Sequence, residues 1–195
     1  MKKIFILLNY PRFIIHYFVI RHDISSQEDF YRWVSILRKG QKASLMTFVD
    51  LMIFFPEFRS LILARIRVHH LYLSHILAFL GKPMPLLRID CKHIKGGIYI
   101  QHGFATIIAP KSIGQNCWIN QNVTVGYTNE TDCPIIGDNV SIGAGAKVLG
   151  KCTVGDNVKI GANCVVVKDV PNNATVVGNP AYIVRLNGER VSIKL

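Results

Sequence analysis

The chain has 195 residues, half of them hydrophobic, with 23 Lys and Arg against 12 Asp and Glu for a formal net charge of +11. That apolar content excludes a disordered chain. The charge suits an anionic partner, yet no nucleic-acid-binding motif accompanies it, and 13 of the basic residues but only 5 of the acidic ones fall before residue 89.

The opening stretch, MKKIFILLNYPRFIIHYFVIRHD, begins like a signal peptide, but Asn9, Pro11 and Arg12 interrupt the apolar run and no small-residue cleavage site follows. It also falls short of the roughly 20 apolar residues that a membrane span needs. An amphipathic or part-buried segment is expected, with a membrane surface as its second option. Ser25 and Glu28 have the spacing of a capping box, so a helix is predicted from there to Gly40. A second is predicted over 43–55. A third opens at Pro56 and Glu57, carries Ile62, Ile66, His69 and Leu73 on one face, and ends at Gly81.

Past residue 88 the texture changes, and 13 of the 15 glycines lie there. From Ile136 an aliphatic residue returns at every sixth position: Ile142, Val148, Val154, Ile160 and Val166. Neither a helix nor a strand has that beat, whereas stacked rungs of a solenoid do. Going backwards, Val125, Ile119, Ile113 and Ile107 keep the step, and Ile100 marks an earlier, less regular rung. The beat breaks between Val125 and Ile136, so Tyr127 to Ile135 is predicted to loop out of the coil. Such insertions map to one face, which often binds something. Pro171, Asn172-Asn173, Gly178 and Pro180 punctuate the end of the array. The expected division is a helical region over 1–86, a coil over 87–186 and a tail over 187–195.

Cys91, Cys117, Cys133, Cys152 and Cys164 form no CxxC pair and have no histidine at zinc-finger spacing. Their odd number fits reduced thiols, and with them a cytoplasmic location. Contact of the basic helical region with an anionic membrane at its inner face is a further expectation.

The hexad run with IGAGAKVLG, the segment KIGANCVVVKDVP and the closing VVGNPAYIV resemble the left-handed β-helix acyltransferases, and within them the serine acetyltransferase-like branch. The resemblance covers residues 86–186, and FFPEFRSLILARIRVHHLYL is similar to the helix that precedes the coil in that branch. It implies a mainly β fold: a left-handed parallel β-helix of about five triangular turns, preceded by an α-helical N-terminal region. It also implies a homotrimer, with acetyl-CoA as co-substrate in a groove between neighbouring coils and direct transfer of the acetyl group to an acceptor hydroxyl. No metal is expected, since the repeats offer only His93 and His102 as imidazole ligands.

His102, in GIYIQHGFAT, stands where the family's catalytic histidine follows an aliphatic rung. It would take the hydroxyl proton as the new bond forms, work that suits a group titrating near neutral pH. Asp90, about one coil earlier, is the candidate to orient it, although the interval is shorter than in that branch and a plain surface aspartate stays open. Ala144 and Ala162 are implied at the pantetheine arm, small enough to let it approach the main chain, with Lys168, Gly178 and Pro180 towards the nucleotide end. As residue types alone, a histidine in the wall and small residues at corners read as structural.

Gln101 stands where the serine enzymes carry an aspartate, and Asp132-Cys133 where they carry Arg-His before a proline. Gln101, Asp132 and Cys133 are therefore the candidate acceptor contacts. By these changes the paired charges of an amino acid lose their partners, while a neutral polyol loses nothing. The expected activity is acetyl-CoA-dependent O-acetylation of a sugar hydroxyl in a cell-envelope or exported polysaccharide. Two readings stand beside it: a serine O-acetyltransferase of cysteine biosynthesis, and a non-catalytic β-helix scaffold. An acetyl-thiol on Cys133 is the minor alternative to direct transfer, and Cys117-Trp118 reads as packing.

Overall fold

The structure is a computed structural model that describes residues 2–195, and the chain divides into two compact units, Met1–Pro85 and Leu86–Leu195. The first unit consists of α1 (Lys2–Ile20), α2 (Ile24–Leu37), α3 (Leu45–Phe54), α4 (Pro56–His69) and α5 (Leu71–Leu80). In α1, Ile6, Phe13, His16 and Ile20 are buried at helical spacing. Pro11 lies on the exposed side, so it interrupts the apolar run without ending the helix. The N-cap of α2 is Asp23, whose carboxylate accepts the Ser26 N–H at 2.9 Å. The predicted Ser25 cap is displaced because an aspartate two residues earlier caps equally well. Ser44 caps α3, and Pro56 and Glu57 open α4 as predicted.

The expected third helix is two helices. His70, at φ −139, separates α4 from α5, so Ile62 and Ile66 are buried while His69 is exposed and Leu73 belongs to α5. No glycine or proline marks that break, and periodicity alone runs through it. The core of the unit is aromatic: Phe48 meets Phe30 and Phe58 edge-on, with centroids 5.4 and 5.6 Å apart, and Trp33 lies 5.2 Å from Phe58. Two ion pairs tie helices together, Arg65 with Asp29 and Arg38 with Asp50.

His16 is a polar group inside this packing, 0% exposed. Its Nε2 lies 3.3 Å from the Leu77 carbonyl, and its Nδ1 has no partner among the described residues. Burial, reinforced by Arg59 and Arg12 and opposed by the Leu77 carbonyl, pushes its pKa down from 6.5 to about 4. The folded state thus binds this proton less readily than the unfolded chain. The contribution to stability is complete above the unfolded value of 6.5 and is lost as pH falls towards 4. Urea unfolding followed by circular dichroism is expected to show a loss of about 2 kcal/mol between pH 7.5 and pH 5. In His16→Leu that loss should disappear; an unchanged slope in the variant would assign the pH dependence to other groups.

The second unit is a solenoid with three faces. Leu87–Ile89, Thr106–Ile108, Thr124–Gly126, Lys147–Leu149 and Val165–Val166 stack in parallel on the first, and Ser112–Ile113, Ile135–Ile136 and Thr153–Val154 on the second. Tyr99–Ile100, Trp118–Ile119, Ser141–Ile142, Lys159–Ile160 and Ala174–Val177 form the third. In the regular part each residue pairs three hexads on, as Ser141 does with Lys159 and Lys147 with Val165. The beat residues from Ile136 to Val166 all point inwards, and so do Cys117, Cys152 and Cys164 two positions before a beat residue. Burial raises the Cys152 thiol to about 11 and also raises that of Cys164, so these cysteines are packing groups.

One rung departs from the predicted beat. Ile108, not Ile107, pairs with Val125 and fills the core, and Ile107 is 42% exposed. Ile100 pairs with Ile119 and Ile108 with Val125, so the turn through His102 is two residues longer than the one after Ile119, and this displaces the beat. The expected tail over 187–195 is also corrected. Glu189–Lys194 pairs antiparallel with Tyr182–Leu186 across Asn187-Gly188, both at positive φ, as an Asn-Gly hairpin turn requires.

The three edges between faces differ in chemistry. The edge leading from the second face to the third is closed by stacked side chains. Asn139 donates to Asn157, Asn157 to Asn173 and Asn173 to Asn187 at 3.0–3.2 Å. These asparagines adopt positive φ, which their residue type tolerates best after glycine. Beside them the Asp156 carboxylate accepts the Asp138 N–H, and the Asn172 side chain accepts the Asp156 N–H. A Cβ on Gly114 would lie 2.4 Å from the Gly137 carbonyl carbon, so successive coils touch backbone to backbone there. This edge has its polar groups satisfied and is architecture.

Candidate functional site

The remaining two edges carry the sequence-predicted site residues. The edge between the third and first faces holds the segments that follow Ile100, Ile119, Ile142, Ile160 and Val177. His102, Ala144, Ala162 and Gly178 therefore stand on one line along the coil. The Asn163 N–H donates to the Ala144 carbonyl at 2.9 Å, so the two alanines are on successive turns. A Cβ on Gly143 would come within 2.7 Å of the Ala162 nitrogen. Nothing larger than hydrogen fits there. The result is a strip of small side chains with main chain near the surface, below one imidazole. Pro180 follows Gly178, itself at φ +91.

His102 is exposed and sits at φ +53, in the left-handed region that a histidine adopts only when its surroundings hold it. Those surroundings are visible. Its carbonyl accepts the Phe104 N–H at 2.6 Å, the Phe104 carbonyl accepts the Asn122 N–H at 3.0 Å, and the buried Thr106 hydroxyl donates to Phe104 at 3.1 Å. The imidazole itself has no hydrogen-bond partner among the described residues and is open to an incoming hydroxyl. Preceding it, Gln101 is anchored by the Trp118 indole, whose N–H donates to Oε1 at 3.2 Å, and Trp118 lies edge-on to Tyr99 at 4.6 Å. An indole only donates, so the Gln101 oxygen must face it and the NH2 group faces elsewhere. Trp118, read from sequence as packing, is thus a neighbour of the site. Nothing in its spacing announces that role.

Asp90 is not part of this arrangement within one protomer. Ile89 pairs with Ile108, so Asp90 lies past one end of that rung while His102 precedes the other. Its carboxylate lies 3.0 Å from Arg88, both exposed. Asp90 instead belongs to the edge between the first and second faces, with Asp132, Cys133 and Lys168. Lys168 was expected beside Gly178 and Pro180, and the connection after Val166 carries it to this other edge.

The predicted loop leaves the coil here. Asn129 organises it, accepting the N–H groups of Thr131 and Asp132 at 2.9 Å and donating to the Asp132 carboxylate at 2.8 Å. Side-chain hydrogen bonding with Cys133, with the charges of Cys133, Asp90 and Cys91 near, pushes the Tyr127 phenol above its ordinary value. Beside the loop opens a cavity of about 460 Å³, whose lining includes Lys111, Asp132, Cys133, Lys151 and Asp169. Lys111 and Lys151 escaped the sequence reading because neither lies in a motif. Among the described residues no group of three His, Cys, Asp or Glu side chains is placed to hold a metal.

Residues 133–168 match the bacterial transferase hexapeptide family of six repeats. A serine acetyltransferase of Synechococcus elongatus is 36% identical over 154 residues, which cover 73% of this chain and 63% of that protein. The repeats over these residues are those of the hexapeptide-repeat transferases. A Staphylococcus xylosus serine acetyltransferase is 48% identical over 98 residues, 48% of this chain and 45% of that protein. The crystal structure of Neisseria gonorrhoeae serine acetyltransferase in complex with serine superposes with a TM-score of 0.65 at 28% identity, over 83% of this chain and 68% of that one. The coil is accordingly a left-handed β-helix, and the chain has serine acetyltransferases as homologues. It spans less than two thirds of the length of either curated relative.

These relatives correct the expectation of a sugar acceptor in polysaccharide synthesis. They are serine acetyltransferases, and one of them holds serine. The expectation rested on charges missing at Gln101 and at Asp132-Cys133. It overlooked that Lys111, Lys151, Asp132 and Asp169 bring both signs of charge to one cavity, so complementarity to an amino acid is not lost by two substitutions.

Proposed function

We propose that this hexapeptide-repeat transferase is a serine O-acetyltransferase, moving the acetyl group of acetyl-CoA directly to the hydroxyl of L-serine. The observation that carries the reading is His102, held at positive φ at the head of the strip formed by Ala144, Ala162 and Gly178. His102 takes the serine hydroxyl proton as the oxygen attacks the thioester carbonyl. Collapse of the tetrahedral intermediate expels the CoA sulfur, which receives that proton from the imidazolium. The products are O-acetylserine and CoA. Acetyl-CoA lies along the small-residue strip, where its pantetheine amides reach main-chain groups.

The working unit is a homotrimer. Its cyclic contacts join two different patches of each protomer, so the edge with Lys168 and the charged cavity faces the His102 edge of a neighbour. Lys111 and Lys151 then suit the serine carboxylate, and Asp132 its ammonium. The test is CoA release by the purified chain from acetyl-CoA with and without L-serine, with the product identified by mass spectrometry. Serine-dependent release with O-acetylserine as product is expected. Release that ignores serine would overturn the acceptor, and no acetyl-CoA binding by calorimetry would leave a non-catalytic scaffold.

A further inference from the structure

The helical unit presents an apolar face that its own packing leaves uncovered. On α1, Ile4, Leu8, Ile15 and Phe18 recur at helical spacing on the side opposite the buried Phe13 and His16, and Leu8 is 75% exposed. On α5, Tyr72 is 84% and Phe79 85% exposed. The two helices are neighbours, since the Arg12 side chain donates to the Leu80 carbonyl and His16 lies against that of Leu77. A patch of this kind on a soluble unit marks a contact surface.

Charge decides what covers it. Neither α1 nor α5 contains a single Asp or Glu. Arg21 is exposed at the patch, packed over the Phe18 ring at 5.3 Å, and Arg12 is exposed at the seam between α1 and α5, over Phe13 at 5.1 Å. A second copy of the chain would bring the same acid-free, cation-bearing surface and so offers these arginines no partner. An anionic bilayer offers both halves of the match: phosphates for the arginines and an acyl boundary for the apolar side chains. No helix among the described residues is long and apolar enough to cross a membrane, so the geometry is that of a helix lying in the surface. We infer that α1, with α5 beside it, docks this protein on an anionic phospholipid surface. The inference rests on the helical unit alone and stands whatever the acceptor of the β-helix proves to be.

Sedimentation of the full chain with vesicles tests it, using phosphatidylcholine with and without phosphatidylglycerol at low and at high salt. The expected result is binding that requires phosphatidylglycerol, weakens with salt, and falls at least about tenfold in Leu8→Glu and in Phe79→Glu. Arg21→Glu should reduce binding with the circular-dichroism spectrum unchanged. Absence of binding to phosphatidylglycerol vesicles would overturn the inference, as would equal binding of the parent and both apolar-site variants. If these variants instead shift the protein to a smaller species in size exclusion while vesicle binding is absent, the patch is an interface between copies.

Discussion

Replacing His102 by asparagine is expected to lower serine-dependent acetyl transfer by about 10²–10⁴-fold, the usual loss when a general base is removed. Asparagine is the informative replacement. His102 occupies φ +53, where the chain tolerates asparagine as it does at positions 116, 122, 139, 157, 163 and 173. His102→Ala would add backbone strain to the loss of the imidazole and blur the result. With asparagine the turn through Phe104 and Thr106 keeps its main-chain bonds, so acetyl-CoA affinity measured by calorimetry should stay within a few-fold of the parent. A loss confined to kcat, with cofactor binding retained, is the signature of a group that acts on the reacting hydroxyl. Retained turnover would remove His102 from the chemistry and reopen the scaffold reading.

The solenoid was legible because its signal is redundant. Every beat residue from Ile136 to Val166 has the same job, and a single misplaced position would not have hidden the period. The same redundancy explains where the reading failed. The Ile107 rung is entered through the turn that holds His102, and that turn is two residues longer than its counterpart after Ile119, which displaces the beat. The site was legible only in part, since a hexad count gives position along the coil but not which of three edges a residue occupies. His102, Ala144 and Ala162 were placed together by resemblance, and the strand register agrees. The resemblance also places Lys168 with Gly178 and Pro180 and Asp90 beside His102, whereas the register puts both on another edge. Trp118, Lys111 and Lys151 could not be found at all, because their significance lies in what stands one coil above or below them. In the helical unit the break at His70 has no sequence marker, while the Asn-Gly turn at 187–188 had a clear one that the reading passed over.

The buried pair in the helical unit is expected to give the largest single effect on stability. Arg65 meets Asp29 through two bonds, Nε to Oδ2 at 2.9 Å and Nη2 to Oδ1 at 3.2 Å, and the side chains are 8% and 0% exposed. It links α2 to α4, and removing one member leaves a charge that water cannot reach. Arg65→Met is therefore expected to cost about 3–5 kcal/mol in urea unfolding. That cost measures the buried carboxylate left without its arginine more than the worth of the pair, because forming the pair already required both ions to leave water. The double replacement Asp29→Leu/Arg65→Met separates the two quantities. Apolar side chains of similar volume need no solvation, and the double variant should return to within about 1–2 kcal/mol of the parent. If the single variant cost less than about 1 kcal/mol, water would have to reach Asp29 in solution. If the double variant were as unstable as the single, the pair would be holding the packing of α2 on α4 rather than merely neutralising itself.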